Sequence, residues 1–379
     1  MKLVKSMSDN GRVPSVTPLI ASLPSTVPFT GPETIERKRG KSFRARLGAN
    51  ENGFGPAPSV ITAMQQALTD VWEYGDPENF ELRQILASAF NLAPENFTIG
   101  AGVDALLGVI VRQYISPSDC VVNSLGGYPT FNYHVAGYGG ALISVPYKND
   151  RTDLEGLSDA AWKNNAKIVY LANPDNPLGT WHNSGAIEAF IASLPANTLC
   201  ILDEAYGELA PADSLPSKEK IWPNVLRMRT FSKAYGLAGL RCGYAIGAAE
   251  LIANFDKIRD HFSVNKIAQI AAAQALKDQA YLNSVVDKIS TARNELVNIA
   301  HSHGLETLPS ATNFVAIDCG RDGAYAQKVL DVLTEHDIFV RKPVVPVLNR
   351  LIRVSVGPRE ELKLFDDSLG IALEIANKR

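Results

Sequence analysis

Cysteine is scarce: four residues in 379 (Cys120, Cys200, Cys242 and Cys319), far apart and with no C-x-x-C pair. That excludes a disulfide framework and leaves four reduced thiols, as in a cytosolic protein. Long hydrophobic runs are missing too; no stretch approaches the roughly 18 apolar residues of a transmembrane helix. The first ten residues carry two lysines but turn polar at Ser6, too soon for the apolar region of a signal peptide. Neither sign of charge dominates, since 37 Lys and Arg face 40 Asp and Glu. A net charge of −3 makes nucleic acid and anionic membrane poor partners. There is no internal repeat and no low-complexity segment. What is present is ordinary for a globular protein: 46% apolar and 20% charged residues, enough for a large core without staples. By length the chain should hold one large and one small domain.

Residues 1–48 are rich in Pro, Ser and Thr and read as an extended arm, with Arg37-Lys38-Arg39-Gly40-Lys41 as a solvated basic run. Residues 57–72 repeat apolar side chains at helical spacing, with Ser59 as a possible cap. A turn at Tyr74-Gly75-Asp76-Pro77 leads into a second helix through Leu82, Leu86 and Phe90. From residue 96 short apolar runs alternate with helical segments. Strands are expected at 97–99, 120–123, 141–145, 168–171, 199–202, 225–230 and 244–246. Strands that are apolar throughout and alternate with helices predict an α/β fold, a mainly parallel sheet covered by helices on both faces. After residue 285 a helix, two strands (311–317 and 352–355) and the helix 324–335 predict a smaller α+β unit. The expected division is an arm (1–48) packing with the small domain, a large domain (49–280) and a small C-terminal domain (281–379).

Four short motifs carry chemistry. Lys233 lies in Ser232-Lys233-Ala234-Tyr235-Gly236, just after a strand, where an amine can form a Schiff base with a carbonyl cofactor. Ser232 and Arg241 place anion-binding groups nearby. Asp203, in Asp203-Glu204-Ala205-Tyr206, follows a buried strand, where open α/β sheets bind their ligands. A carboxylate in so dry a place needs a cation or takes up a proton, although it could equally cap the next helix. Asn173-Pro174-Asp175-Asn176-Pro177-Leu178-Gly179 fixes a tight turn and frees asparagine amides, or is plain loop punctuation. Gly100-Ala101-Gly102-Val103-Asp104-Ala105 joins a strand to a helix, where backbone N–H groups can hold a phosphate. It also matches the dinucleotide fingerprint, but Asp119, the acid at the required distance, precedes its strand instead of ending it. His301 and His303 have no acid or thiol nearby and read as a helix-end surface, not a metal site.

Taken in order and spacing, these motifs resemble the fold-type I, class I/II aminotransferases, and among them the histidinol-phosphate aminotransferase family. The resemblance opens at Leu47-Gly48-Ala49-Asn50-Glu51-Asn52 and closes at Ile352-Arg353-Val354-Ser355-Val356-Gly357. It implies pyridoxal 5′-phosphate as cofactor, held covalently by Lys233, which then serves as base and acid of a 1,3-proton shift. Asp203 would pair with the pyridine nitrogen and keep it protonated. Asn176 and Tyr206 would bond the ring's phenolic oxygen, and Phe131 would stack on the ring. Gly102, Val103, Asp104, Thr230, Ser232 and Arg241 would hold the phosphate. Tyr74 would reach that phosphate from a neighbouring subunit, which implies a homodimer with shared sites. Asn52, Arg341 and Arg353 would bind substrate, although Arg341, beside Lys342, could be plain surface.

The implied reaction is two-stage transfer from a primary-amine donor to a 2-oxo acid such as 2-oxoglutarate, with histidinol phosphate as the lead donor. Phe29 stands where the family carries a tyrosine, Phe131 often does too, and Gly53 and Phe54 replace the usual proline motif. Losing hydroxyls near the donor also suits a less polar amine, such as an aromatic amino acid. A pyridoxal-phosphate lyase or decarboxylase on the same scaffold, and more remotely a dinucleotide-dependent oxidoreductase, are the alternatives.

Overall fold

The computed structural model describes residues 14–26 and 29–378. The first ten residues, where a signal peptide was considered, and Pro28, which precedes Phe29, lie outside them. Seven strands form the main sheet: β1 (Phe97–Gly100), β2 (Cys120–Ser124), β3 (Ala141–Val145), β4 (Ile168–Ala172), β5 (Leu199–Asp203), β6 (Val225–Thr230) and β7 (Gly243–Ile246). Their order is β1-β7-β6-β5-β4-β2-β3. Only β7 runs against the rest, so it pairs antiparallel with both β1 and β6. The other six strands therefore end at one edge.

Alternation along the strands fills both faces. Val121, Ile168, Tyr170, Leu199 and Ile201 pack on one side with the helices Gly102–Tyr114 and Pro129–Gly137. Val122, Val169, Leu171, Cys200 and Leu202 pack on the other with Leu154–Lys163 and Ser184–Ser193. With an apolar residue at every position, a run buried on both sides has no polar stripe, which is why these strands stand out in the sequence.

A second, antiparallel sheet pairs β8 (Phe314–Asp318) with β9 (Leu351–Ser355) on one side and Glu306–Thr307 on the other. The helices Gln279–Ser302, Gly323–Glu335 and Arg359–Lys378 accompany it, the first two capped by Asp278 and Asp322 accepting from Tyr281 and Tyr325 N–H.

Three local expectations are corrected. The arm is not extended throughout, because Pro18–Ser22 and Pro32–Arg39 are helical, each with proline in its first turn. Its basic run is only partly solvated, since Arg39 and Lys41 both pair with the buried carboxylate of Asp337. The helix expected over 57–72 stops at Ala67 in a 3₁₀ turn, and Ser59 does not cap it but donates to Asp278, 2.5 Å away. The strand Ala45–Arg46 pairs in parallel with Ile338–Phe339, which lays the residues before the opening motif against the second sheet.

Candidate active site

Because β4, β5 and β6 are parallel neighbours, the loops after them meet, and the three motifs they carry face one cavity. Asn176, Asp203, Tyr206, Thr230, Ser232, Lys233 and Arg241 line it, with Val103 and Asp104 from the first turn of the helix Gly102–Tyr114. Gly102 itself opens that helix at φ +82, and a Cβ there would lie 2.6 Å from Arg241 Nη2. Backbone and guanidinium approach this closely only because the side chain is a hydrogen. Thr230 Oγ1 donates to Ser232 Oγ (3.0 Å), and Arg241 Nη1 lies 3.4 Å from that same oxygen. The result is a cup of hydroxyls, N–H groups and one guanidinium, suited to a phosphate.

At the other end Asp203 is buried. It accepts from Tyr170 OH at 2.6 Å and from the Ala205 N–H at 3.0 Å. Burial pushes its carboxyl above the usual range despite these bonds, so the site favours a cationic partner. Lys233 Nζ donates to the Asn50 carbonyl at 3.0 Å. Burial, with the cations Arg353 and Arg241, brings its amine down to about 8, which keeps a reactive unprotonated fraction near neutrality. Tyr206 OH accepts from Asn50 Nδ2 at 2.9 Å, and burial raises its pKa.

A second cavity shares Tyr128 and Asn176 with the first and is walled by Phe29, Arg341, Lys342, Val345 and Arg353. Arg341 and Arg353 face each other across an antiparallel bridge, N–H to carbonyl at 3.2 and 2.6 Å. Arg353 Nη1 donates to Asn176 Oδ1 (2.5 Å) and Nη2 to the Gly48 carbonyl (3.2 Å), while its buried Nε has no partner. Burial lowers it to about 10. Arg341 Nη2 donates to the Thr30 carbonyl at 2.6 Å, so it belongs to the cavity wall and not to plain surface. No ion pair joins either arginine to a carboxylate among the described residues.

Two of the expected site residues lie outside the lining of both cavities. Phe131 does not reach the cavity: it is fully buried and stacked on Tyr170, centroids 4.7 Å apart. The aromatics at the wall are Tyr128, Tyr170 and Tyr206; Tyr128 comes immediately before the proline that opens the helix Pro129–Gly137, whereas Phe131 lies inside that helix and faces the sheet. Asn52 is also absent from both cavities. Its amide donates to the Ala234 carbonyl (3.0 Å) and accepts from Phe54 N–H (3.0 Å), clamping the lysine loop from outside. Tyr74 is 83% exposed and is not in the lining of either cavity, and its ring packs on Phe262 at 5.0 Å. His303 pairs with Asp366 at 2.7 Å.

Sequence reasoning passed over Asn50, Glu204 and Tyr128. Glu204, completely buried, bonds Arg227 Nε (3.0 Å) and Arg229 Nη1 (3.3 Å), and so anchors the strand end that carries Asp203. A charged residue next to Asp203, with two arginines in the neighbouring strand, was the available signal.

The arrangement agrees with what the chain resembles. A sequence model of the aminotransferase class I and II family matches residues 45–369. Histidinol-phosphate aminotransferases of Moorella thermoacetica and of an Anaeromyxobacter species are 32% and 34% identical to it. The alignments cover 93% and 92% of this chain and 92% and 96% of theirs. The chain belongs to the histidinol-phosphate aminotransferase family. A crystal structure of the Sinorhizobium meliloti family member, in complex with pyridoxal-5′-phosphate, superposes with a TM-score of 0.93 at 51% identity, covering 98% of this chain and all of that one. Thermus thermophilus aspartate aminotransferase, at 20% identity and a TM-score of 0.78, shares the fold.

Enzymes of this family are pyridoxal-phosphate-dependent aminotransferases, and the cavity fits that cofactor on three counts. The cup under Gly102 would take its phosphate, the dry carboxylate of Asp203 its ring nitrogen, and the Lys233 amine its aldehyde. This family membership displaces the oxidoreductase and decarboxylase readings. Asp119, the acid a dinucleotide would need, instead accepts from Ser116 N–H at 2.8 Å within a turn. Among the described residues, no helix is long and apolar enough to cross a membrane.

Proposed function

We propose that this aminotransferase takes its amino group from histidinol phosphate and delivers it to a 2-oxo dicarboxylic acid such as 2-oxoglutarate, the two substrates visiting one site in turn. The observation that carries the proposal is the Arg341–Arg353 pair: two guanidiniums on one wall, unpaired with any described carboxylate, one with a buried N–H unused. Buried cations without a counter-ion call for an anionic ligand. A phosphate on the donor and the distal carboxylate of the acceptor both meet that need, and arginine's planar fork suits either.

When bound, the cofactor supplies an electron sink for the bond broken at the donor's α-carbon. The protein does the rest. Asp203 would hold a positive charge at the ring nitrogen, and Tyr206 and Asn176 would orient the phenolic oxygen. Tyr128 would wall the cavity beside the ring. Lys233 would hold the cofactor's aldehyde and, as a free amine, serve as the base and then the acid that moves the proton. Arg341 and Arg353 fix the far end of each substrate, so that the reacting carbon lies beside the Lys233 amine.

The reading also takes the working unit to be a homodimer. Tyr74 stands in an exposed apolar patch with Val71, Trp72, Phe80 and Phe262, and a second copy seated there would bury the patch and bring Tyr74 to its phosphate cup.

The test is the absorbance of the purified protein with pyridoxal 5′-phosphate. A visible band that bleaches on adding histidinol phosphate alone is the expected result. Bleaching only with aromatic amino acids would replace the donor, as the hydroxyl-free Phe29 allows. Absence of the band would overturn the role given to Lys233.

A further inference from the structure

Asn50 is buried and joins three parts of the site through every polar atom it has. Its carbonyl accepts from Lys233 Nζ at 3.0 Å and from Asn313 Nδ2 at 3.0 Å. Its amide Nδ2 donates to Tyr206 OH at 2.9 Å. Its N–H donates to Ser355 Oγ at 2.9 Å, and that hydroxyl donates back to Asn50 Oδ1 at 3.2 Å. Ser355 is on β9, two residues beyond Arg353. The backbone of Asn50 is left-handed, φ +55, a conformation asparagine tolerates better than most residues.

These bonds fix directions. Ser355 Oγ accepts from the Asn50 N–H and gives its own proton to Oδ1, which points the amide so that its oxygen faces Ser355. Nδ2 must then face Tyr206, whose oxygen is the acceptor. The phenol's proton is thereby left free to point into the cavity. A phenol whose oxygen accepts a hydrogen bond is also the stronger donor.

We propose that Asn50 is a positioning residue that makes Tyr206 a one-way donor into the cofactor cavity, and that Ser355 sets its orientation from the strand bearing Arg353. The proposal rests on the pyridoxal-phosphate reading above. Tyr206 is faced by Lys233, Arg353, Asp203 and Tyr128, so its donor strength bears on how tightly the Lys233–cofactor linkage holds a proton.

The experiment is a pH titration of the visible band of the lysine-bound cofactor in four holoenzymes: wild type, Asn50→Gly, Tyr206→Phe and the double variant. Glycine accepts the positive φ and removes only the amide. The band's midpoint should rise by about half a unit or more in Asn50→Gly, since a weaker donor leaves the phenolic oxygen more basic. In the Tyr206→Phe background the same change should move the midpoint little. Ser355→Ala, which leaves Asn50 intact but unsteered, should give a smaller rise and serves if Asn50→Gly does not fold. An unchanged midpoint in the folded variants, or an equal shift with and without the Tyr206 hydroxyl, would overturn the proposal. A wild-type protein with no titrating band would instead sink the cofactor reading on which it stands.

Discussion

Lys233 carries the sharpest conflict between stability and chemistry at the scale of single residues. Its amine is held at about 8 when folded, against about 10.5 in an unfolded chain. Between those values the unfolded state binds the extra proton, so stability rises with pH across that window and the full penalty is felt below about pH 8. Lys233→Met should therefore melt several degrees higher than wild type at pH 7 when both lack cofactor. The gap should close as the pH is raised towards 10.5, and a gap independent of pH would refute the account. The two aromatics beside the helix Pro129–Gly137 separate the same way. Phe131→Ala should lose about 3–5 kcal/mol in denaturant unfolding, because a packed ring leaves a cavity. Tyr128→Ala should lose far less stability yet hold the cofactor more weakly, as read by titration of the protein stripped of cofactor.

At the scale of elements, the helix Gly102–Tyr114 owes its phosphate cup to a residue without a side chain. Gly102→Ala would meet Arg241 and force a left-handed backbone, so cofactor affinity should fall about tenfold or more, roughly 1.4 kcal/mol. Fluorescence titration of the variant checks it; unchanged affinity would mean the cup lies elsewhere. This scale also shows what the sequence could reveal. Strands β4 and β5 were visible because they are apolar on both faces, and strand ends then located the loops that line the cavity. Tyr128 was passed over at the wall because the resemblance drew attention to Phe131 and away from a local signal. Pro129 marks the first turn of a helix, which puts Tyr128 at its mouth and Phe131 inside. The bond of Asn52 to the Ala234 carbonyl was not legible for a different reason: nothing in one sequence says whether a buried amide faces a ligand or a neighbouring carbonyl. Asn50 could not be seen at all, since its partners Tyr206, Lys233 and Ser355 are distant in the chain and only packing unites them.

The whole molecule presents an apolar patch that the described residues leave exposed, with Trp72 at 79% and Tyr74 at 83%. Trp72→Glu should convert a dimer to monomers in sedimentation, with loss of most activity and weaker cofactor retention, because Tyr74 could no longer reach its partner. A variant that stayed dimeric would place the interface elsewhere.

The bonds from Asn50 to Ser355 and from Gly48 to Arg353 join residues some three hundred positions apart. On the ribosome, the phosphate cup and the lysine loop are made long before β9 exists. A growing chain therefore lacks Arg353 and the Ser355 hydroxyl, and with them part of the cavity wall, until residue 355 has been added. Synthesis itself thus orders events: the chemistry waits for the last strand, and the enzyme becomes active only once its two ends have closed on each other.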